Sequence, residues 1–105
     1  MTVIARSFKA RATADGARAY ARFFTETLVP QLDRIPGHRG ALVLTRETPD
    51  GVEIDVLTFW ESMDAVRHFA GATPERAVVE PEARAILSAF DEHVLHHDVV
   101  VRTSS

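Results

Sequence analysis

Apolar positions along the chain change period several times. Residues 2–13, TVIARSFKARAT, place Ile4, Phe8, Ala10 and Ala12 on one parity and Val3, Ala5 and Ser7 on the other. Apolar or small residues on both parities predict a strand covered on both faces. From Ala14 the spacing becomes helical, with Ala17, Tyr20, Ala21, Phe24 and Leu28 recurring at three and four. Thr13 or Asp15 can cap this helix, and Pro30 should break or kink it near Leu28 and Val29. One further turn over 30–35 would end at Pro36-Gly37.

Residues 39–48 (RGALVLTRET) and 52–60 (VEIDVLTFW) predict two more strands, and Pro49-Asp50-Gly51 between them is a hairpin signal. In the third strand Val52, Ile54, Val56, Thr58 and Trp60 share one face, while Leu57 and Phe59 join Glu53 and Asp55 on the other. Ser62 stands where a helix cap belongs, and the stripe of Val66, Phe69 and Ala70 runs to a stop at Gly71. Thr73-Pro74-Glu75 predicts a short helical restart, and 81–90 a further helix with Ala83, Ile86, Leu87 and Phe90 inward. Residues 92–102 (EHVLHHDVVVR) predict a last strand, followed by a frayed tail over 103–105.

Strand, helix, strand, strand, helix, strand is the order of an α+β, ferredoxin-like split βαβ fold. It implies a four-stranded antiparallel sheet with helices on one face. A length of 105 residues sets a single domain, with its core over 2–102. Ile4, Phe8, Val43, Leu57 and Phe59 are expected on the face that the helices leave bare, which is too apolar for water. A second copy packed sheet to sheet would cover it, so a homodimer is expected. Ser7 would then look into a pocket under the helices, and Arg6 into the dimer interface, where it could pair with an acid of the other half such as Asp55 or Glu53.

Composition narrows the function. The chain has no cysteine, which excludes disulfides, thiolate metal sites and cysteine nucleophiles. Net charge is −3, which argues against nucleic acid as a partner. Residues 1–50 carry eight Arg and Lys against five Asp and Glu, and residues 51–105 four against ten, an asymmetry that could help two copies dock. No apolar run approaches the roughly 18 residues of a membrane span, and MTVIARSFKA lacks the order of a signal peptide, so a cytoplasmic protein is expected. Glycine-rich phosphate loops and Gly-x-Ser-x-Gly elbows are absent.

The "LTFWES" strand end, "AVRHFAG", "TPERAVVEPEAR" and the closing "VLHHDVVV" resemble the antibiotic biosynthesis monooxygenase family of dimeric α/β barrels, from about Val3 to Val101. The resemblance implies a homodimer with a pocket in each protomer between sheet and helices. It also implies, for one branch, oxygenation of aromatic anthrones without metal or flavin, and for another, haem degradation. Carried onto this chain, the haem branch's histidine ligand falls on Val79, its supporting ring on Phe69 and its strand-one amide on Ser7. The polar partners of the anthrone branch fall on Val56 and Val66, and a histidine of its helix on Phe69, one position from His68.

Cofactor-free oxygenation needs an electron-rich anion, groups that hold it, and a dry cavity. The candidates are Trp60 as an N–H donor and His96 and His68 as bases, with Ser7, Tyr20, Phe24, Val66 and Phe69 lining a site for a small apolar or aromatic molecule. Each has a plainer reading: Trp60 and Tyr20 as core, His68 as a solvated flank, Arg6 as an interface residue. His93, His96 and His97 have the composition of a metal cluster but not its geometry. In a strand, His93 and His97 stand about 13 Å apart, and His96 and His97 face opposite ways, so no metal is expected. The alternative to an oxygenase is a dimeric barrel that binds a small molecule without chemistry.

Overall fold

The computed structural model describes residues 2–104; Met1, and Ser105 at the end of the expected tail, lie outside the described residues. The strands are β1 (Val3–Ala12), β2 (His38–Thr48), β3 (Gly51–Trp60), β4 (Ala89–Phe90) and β5 (Leu95–Val99). The helices are α1 (Ala14–Phe23), α2 (Val29–Leu32), α3 (Met63–Ala70) and α4 (Pro81–Ile86). The sheet is antiparallel in the order β2-β3-β1-β4, and β5 also pairs with β1. The arrangement is the ferredoxin-like one, with its fourth strand in two pieces along one edge of β1.

Thr13 caps α1, its hydroxyl accepting from the Gly16 N–H at 3.0 Å, and Ser62 caps α3 by accepting from the Ala65 N–H at 3.1 Å. Pro30 does not break the first helix. A wide π turn over Phe24–Leu28, closed by the Val29 N–H on the Phe24 carbonyl, lets the chain run on into α2. Such a turn shifts the hydrogen-bond ladder where Pro30 can supply no N–H.

The region after Gly71 departs from expectation. Residues 73–80 form an irregular strap, because the Ala77 N–H donates to Glu92 O and the Val94 N–H to Glu75 O, both at 2.8 Å. These distant partners take the groups that a helix would have used. For the same reason α4 ends early: the Ser88 and Asp91 N–H groups donate to the Arg11 and Lys9 carbonyls and turn Ala89–Phe90 into strand.

The β1–β3 register settles which face is which. Ile4 pairs with Trp60, Arg6 with Thr58 and Phe8 with Val56, and Val43 of β2 pairs with Val56. Pairs directly opposite share a face, so Ile4, Phe8 and Val43 lie under the helices rather than on the bare side. Arg6 is likewise inward, and Ser7 is outward beside Leu57. Outward Ser7 donates to Asp55 Oδ1 at 2.7 Å, Lys9 Nζ reaches Asp55 Oδ2 at 3.2 Å, and Glu53 is held by Arg46. The bare face keeps Leu42, Leu44, Leu57, Phe59 and Leu95, the last 57% exposed.

The core lies between sheet and helices, with Trp60 and Val66 completely buried. Gly37 packs closely against the start of α3. Its φ is +91°, its carbonyl accepts the Glu61 N–H at 2.8 Å, and a Cβ there would lie 2.5 Å from that of Ala65.

Candidate functional site

A cavity of about 230 Å³ opens between the inner face of the sheet, the π turn with α2, and the strap. Its walls are mainly apolar, including Phe8, Phe24, Leu28, Val56 and Phe69, and its polar groups come from Arg6, Tyr20, Gln31, Thr58 and Glu80. The π turn brings Phe24 and Leu28 to the cavity, and Glu80 arrives as the residue preceding α4.

Arg6 is the unusual member. It is 3% exposed, at the centre of the sheet, and reaches the strap: Nη1 donates to the Pro74 carbonyl and Nη2 to the Arg76 carbonyl at 2.9 Å. Nη1 also lies 3.0 Å from His96 Nε2. A guanidinium can only donate, so His96 accepts on Nε2 and carries its proton on Nδ1. Burial first and the Arg6 charge second hold the imidazole below its usual range. Desolvation lowers Arg6 itself to about 10, which leaves it charged at neutral pH.

Tyr20 is pushed well above the ordinary phenol range by burial and then by the negative charge of Glu80, so it remains a hydroxyl donor. Among the described residues no hydrogen-bond partner holds it. Glu80 is the carboxylate of the cavity.

Trp60 lies behind this wall. Its ring stacks on Phe69 at 5.3 Å between centroids, and its Nε1–H donates to Thr58 Oγ1 at 2.9 Å. His38 meets it edge-on at 5.1 Å. The His38 side chain is 6% exposed, with Nδ1 3.5 Å from Asp33 Oδ1 and Nε2 buried with no partner among the described residues. Burial is the main cause that keeps this imidazole below its usual range.

Of the residues expected at the site, the structure brings Tyr20, Phe24 and Phe69 to the cavity wall. Val66 and Trp60 are core behind it, His68 is on the exposed flank of α3, and Ser7 is on the opposite side of the sheet. Ser7 fails as a pocket residue because helices cover the other parity of β1. His96 reaches the cavity only through Arg6. Thr58 and Glu80 are not reached from the sequence, and Arg6 is considered there as an anchor only to be assigned to the dimer interface. The signal for Arg6 was its parity with Ile4, Phe8, Ala10 and Ala12, the more apolar side of the strand.

No protein-family model matches the sequence, and no curated protein does so. Solved structures do match its fold. A protein of unknown function from Nitrosomonas europaea superposes with a TM-score of 0.66 at 16% identity, over 100% of this chain and 96% of that one. A haem-degrading protein from Mycobacterium tuberculosis, in its haem-free form, gives 0.62 at 17% identity over 99% and 98%. A monooxygenase from the ActVA-Orf6 gene of Streptomyces coelicolor, in complex with nanaomycin D, gives 0.56 at 16% identity over 99% and 90%. The chain has the ferredoxin-like fold of the antibiotic biosynthesis monooxygenases. At these identities the likeness is one of architecture.

The same antibiotic biosynthesis monooxygenase fold serves haem-degrading neighbours, and the residues here do not fit haem. No histidine lines the cavity, Val79 is packed against the core where the resemblance puts the ligand, and His96 Nε2 is already engaged by Arg6. Iron would lack an axial imidazole. Among the described residues no helix is long and apolar enough to cross a membrane.

Proposed function

We propose that the protein is a small homodimeric oxygenase that binds an aromatic molecule in this cavity and oxygenates it without a cofactor. The observation that carries the reading is a phenol, Tyr20, and a carboxylate, Glu80, lining one mainly apolar, aromatic-walled cavity. The nanaomycin D complex of the Streptomyces coelicolor neighbour supports a small organic ligand. Glu80 takes the proton from the substrate, the Tyr20 hydroxyl donates to the resulting oxyanion, and the apolar walls exclude water from the anion. The electron-rich anion then reacts with oxygen. For an activated ring CH₂ the balance is CH₂ + O₂ → C=O + H₂O, with four electrons passing to oxygen and one oxygen atom retained.

This assignment replaces a role for Ser7, His68 or His96 as substrate contacts and for Trp60 as donor. Trp60 positions Phe69 and Thr58 from behind. The bare face, with exposed Leu42, Leu44 and Leu95 beside half-buried Leu57 and Phe59, supports the dimer, since apolar side chains gathered on one sheet face mark an interaction surface. A non-catalytic binding barrel is the second reading, favoured by the absence of an imidazole from the wall.

An oxygen electrode tests the reading, with purified metal-free protein and a panel of anthrones and hydroquinones. Turnover should fall by about 10²-fold or more in Glu80→Gln and in Tyr20→Phe. Turnover unchanged in both variants would remove these two residues from the chemistry, and no turnover with any compound would favour binding alone.

A further inference from the structure

Arg6 is a buried cation whose partners are all neutral: two carbonyl oxygens and an imidazole that is itself held uncharged. Among the described residues no carboxylate comes within the 4.0 Å of an ion pair with it. Asp55 is engaged by Lys9 on the far face and Glu61 by Arg39, while Glu80 lines the same cavity without pairing. A buried charge with no counter-ion is costly, and a ligand that supplies the opposite charge relieves the cost.

The guanidinium has five N–H donors. Three are used, two on Nη1 and one on Nη2. The Nε–H and one Nη2–H remain, on two nitrogens joined to the same carbon, and such a pair matches the two oxygens of a carboxylate. Phe69 lies against the guanidinium, 5.5 Å from Cζ to its ring centroid, and keeps the group from rotating freely. Beyond Arg6 the cavity is walled by Phe8, Phe24, Leu28 and Val56, surfaces suited to an aromatic ring.

We propose that Arg6 is the recognition point for a carboxylate, and that the cavity takes a small aromatic acid. A phosphate dianion fits less well, because two N–H groups would leave charge and oxygens unpaired against hydrocarbon. The cavity of about 230 Å³ lies below the roughly 300–1,000 Å³ of drug-sized pockets, which limits the ligand to no more than a few fused rings without bulky substituents. The inference rests on the cavity being a ligand site and not on the oxygenation. Arg6 therefore has two tasks: two donors tie down the strap and a third engages His96, which leaves two for the ligand.

Calorimetric titration with 2-naphthoate and its neutral planar counterpart 2-naphthamide tests it. Naphthoate should bind the unaltered protein at least about tenfold more tightly. Arg6→Gln should abolish that preference, with near-ultraviolet circular dichroism of Trp60 checking that the fold is kept. Equal affinities, tighter binding of the amide, or no saturable binding of either compound would overturn the proposal, as would a folded Arg6→Gln that still prefers the acid. Should Arg6→Gln not fold, the comparison in the unaltered protein decides alone. Neither compound is an oxidisable substrate, so this result and the oxygen-electrode result can fail separately.

Discussion

Replacing Thr58 by valine exchanges one hydroxyl for a methyl group of nearly the same shape and removes the acceptor of the Trp60 Nε1–H. The indole is 0% exposed and Thr58 6%, so water cannot easily take the hydroxyl's place. An unsatisfied buried N–H costs about 1–3 kcal/mol, and the added buried methyl offsets about 0.8 kcal/mol of that. From the middle of that range, about 2 kcal/mol, the net loss should be about 1.2 kcal/mol. In a domain of this size about 1 kcal/mol moves Tm by about 4–8 °C, so thermal unfolding should begin about 5–10 °C earlier. A double-mutant cycle isolates the bond: urea unfolding of Thr58→Val, Trp60→Phe and the double variant, followed by far-ultraviolet circular dichroism. In the Trp60→Phe background the same threonine substitution should cost little, because no N–H is left to satisfy. A loss in both backgrounds alike, or none beyond about 0.5 kcal/mol in the first, would refute the claim that this hydrogen bond consumes the indole donor.

Stability should depend on pH below neutrality. His38 and His96 are both held below about 6.5, so the unfolded chain binds protons that the native state refuses. The stability is complete above about pH 6.5 and is lost as pH falls from there through the lowered native values. One such group contributes at most about 1.4 kcal/mol per pH unit. His38→Gln should flatten the decline of Tm between pH 6.5 and 5; an unchanged slope would remove His38 as a cause. Gly37→Ala adds a Cβ 2.5 Å from Ala65 Cβ at a φ of +91°, and should cost about 2–4 kcal/mol in urea unfolding. Light scattering should give twice the monomer mass, and Leu42→Asp with Leu95→Asp should yield the monomer; a monomer at micromolar concentration before any substitution would refute the dimer.

Strand β3 was legible in the sequence because its alternation is strict: Val52, Ile54, Val56, Thr58 and Trp60 are all buried and the residues between them are not. Strand β1 was not, since Val3, Ala5 and Ser7 are as small or apolar as their neighbours and the charge of Arg6 argued for the outside. Pairing with β3 resolves the face, and pairing is a long-range property. Residues 73–94 misled for a related reason: their backbone bonds go to Lys9, Arg11 and Glu92 and their carbonyls to Arg6, none of which leaves a local periodicity. Tyr20, Phe24 and Phe69 could be found from helical spacing alone. Glu80 could not, because nothing around it in the sequence says that the strap folds back over α1.

An oxygenase must leave oxygen from the gas in its product. The deciding measurement is mass spectrometry of an anthrone incubated under ¹⁸O₂ with metal-free protein. One ¹⁸O atom per product molecule, formed at a rate that falls sharply in Glu80→Gln, is the predicted result. Label no higher than in the absence of protein, from a sample in which the same compound binds, would contradict the oxygenase reading.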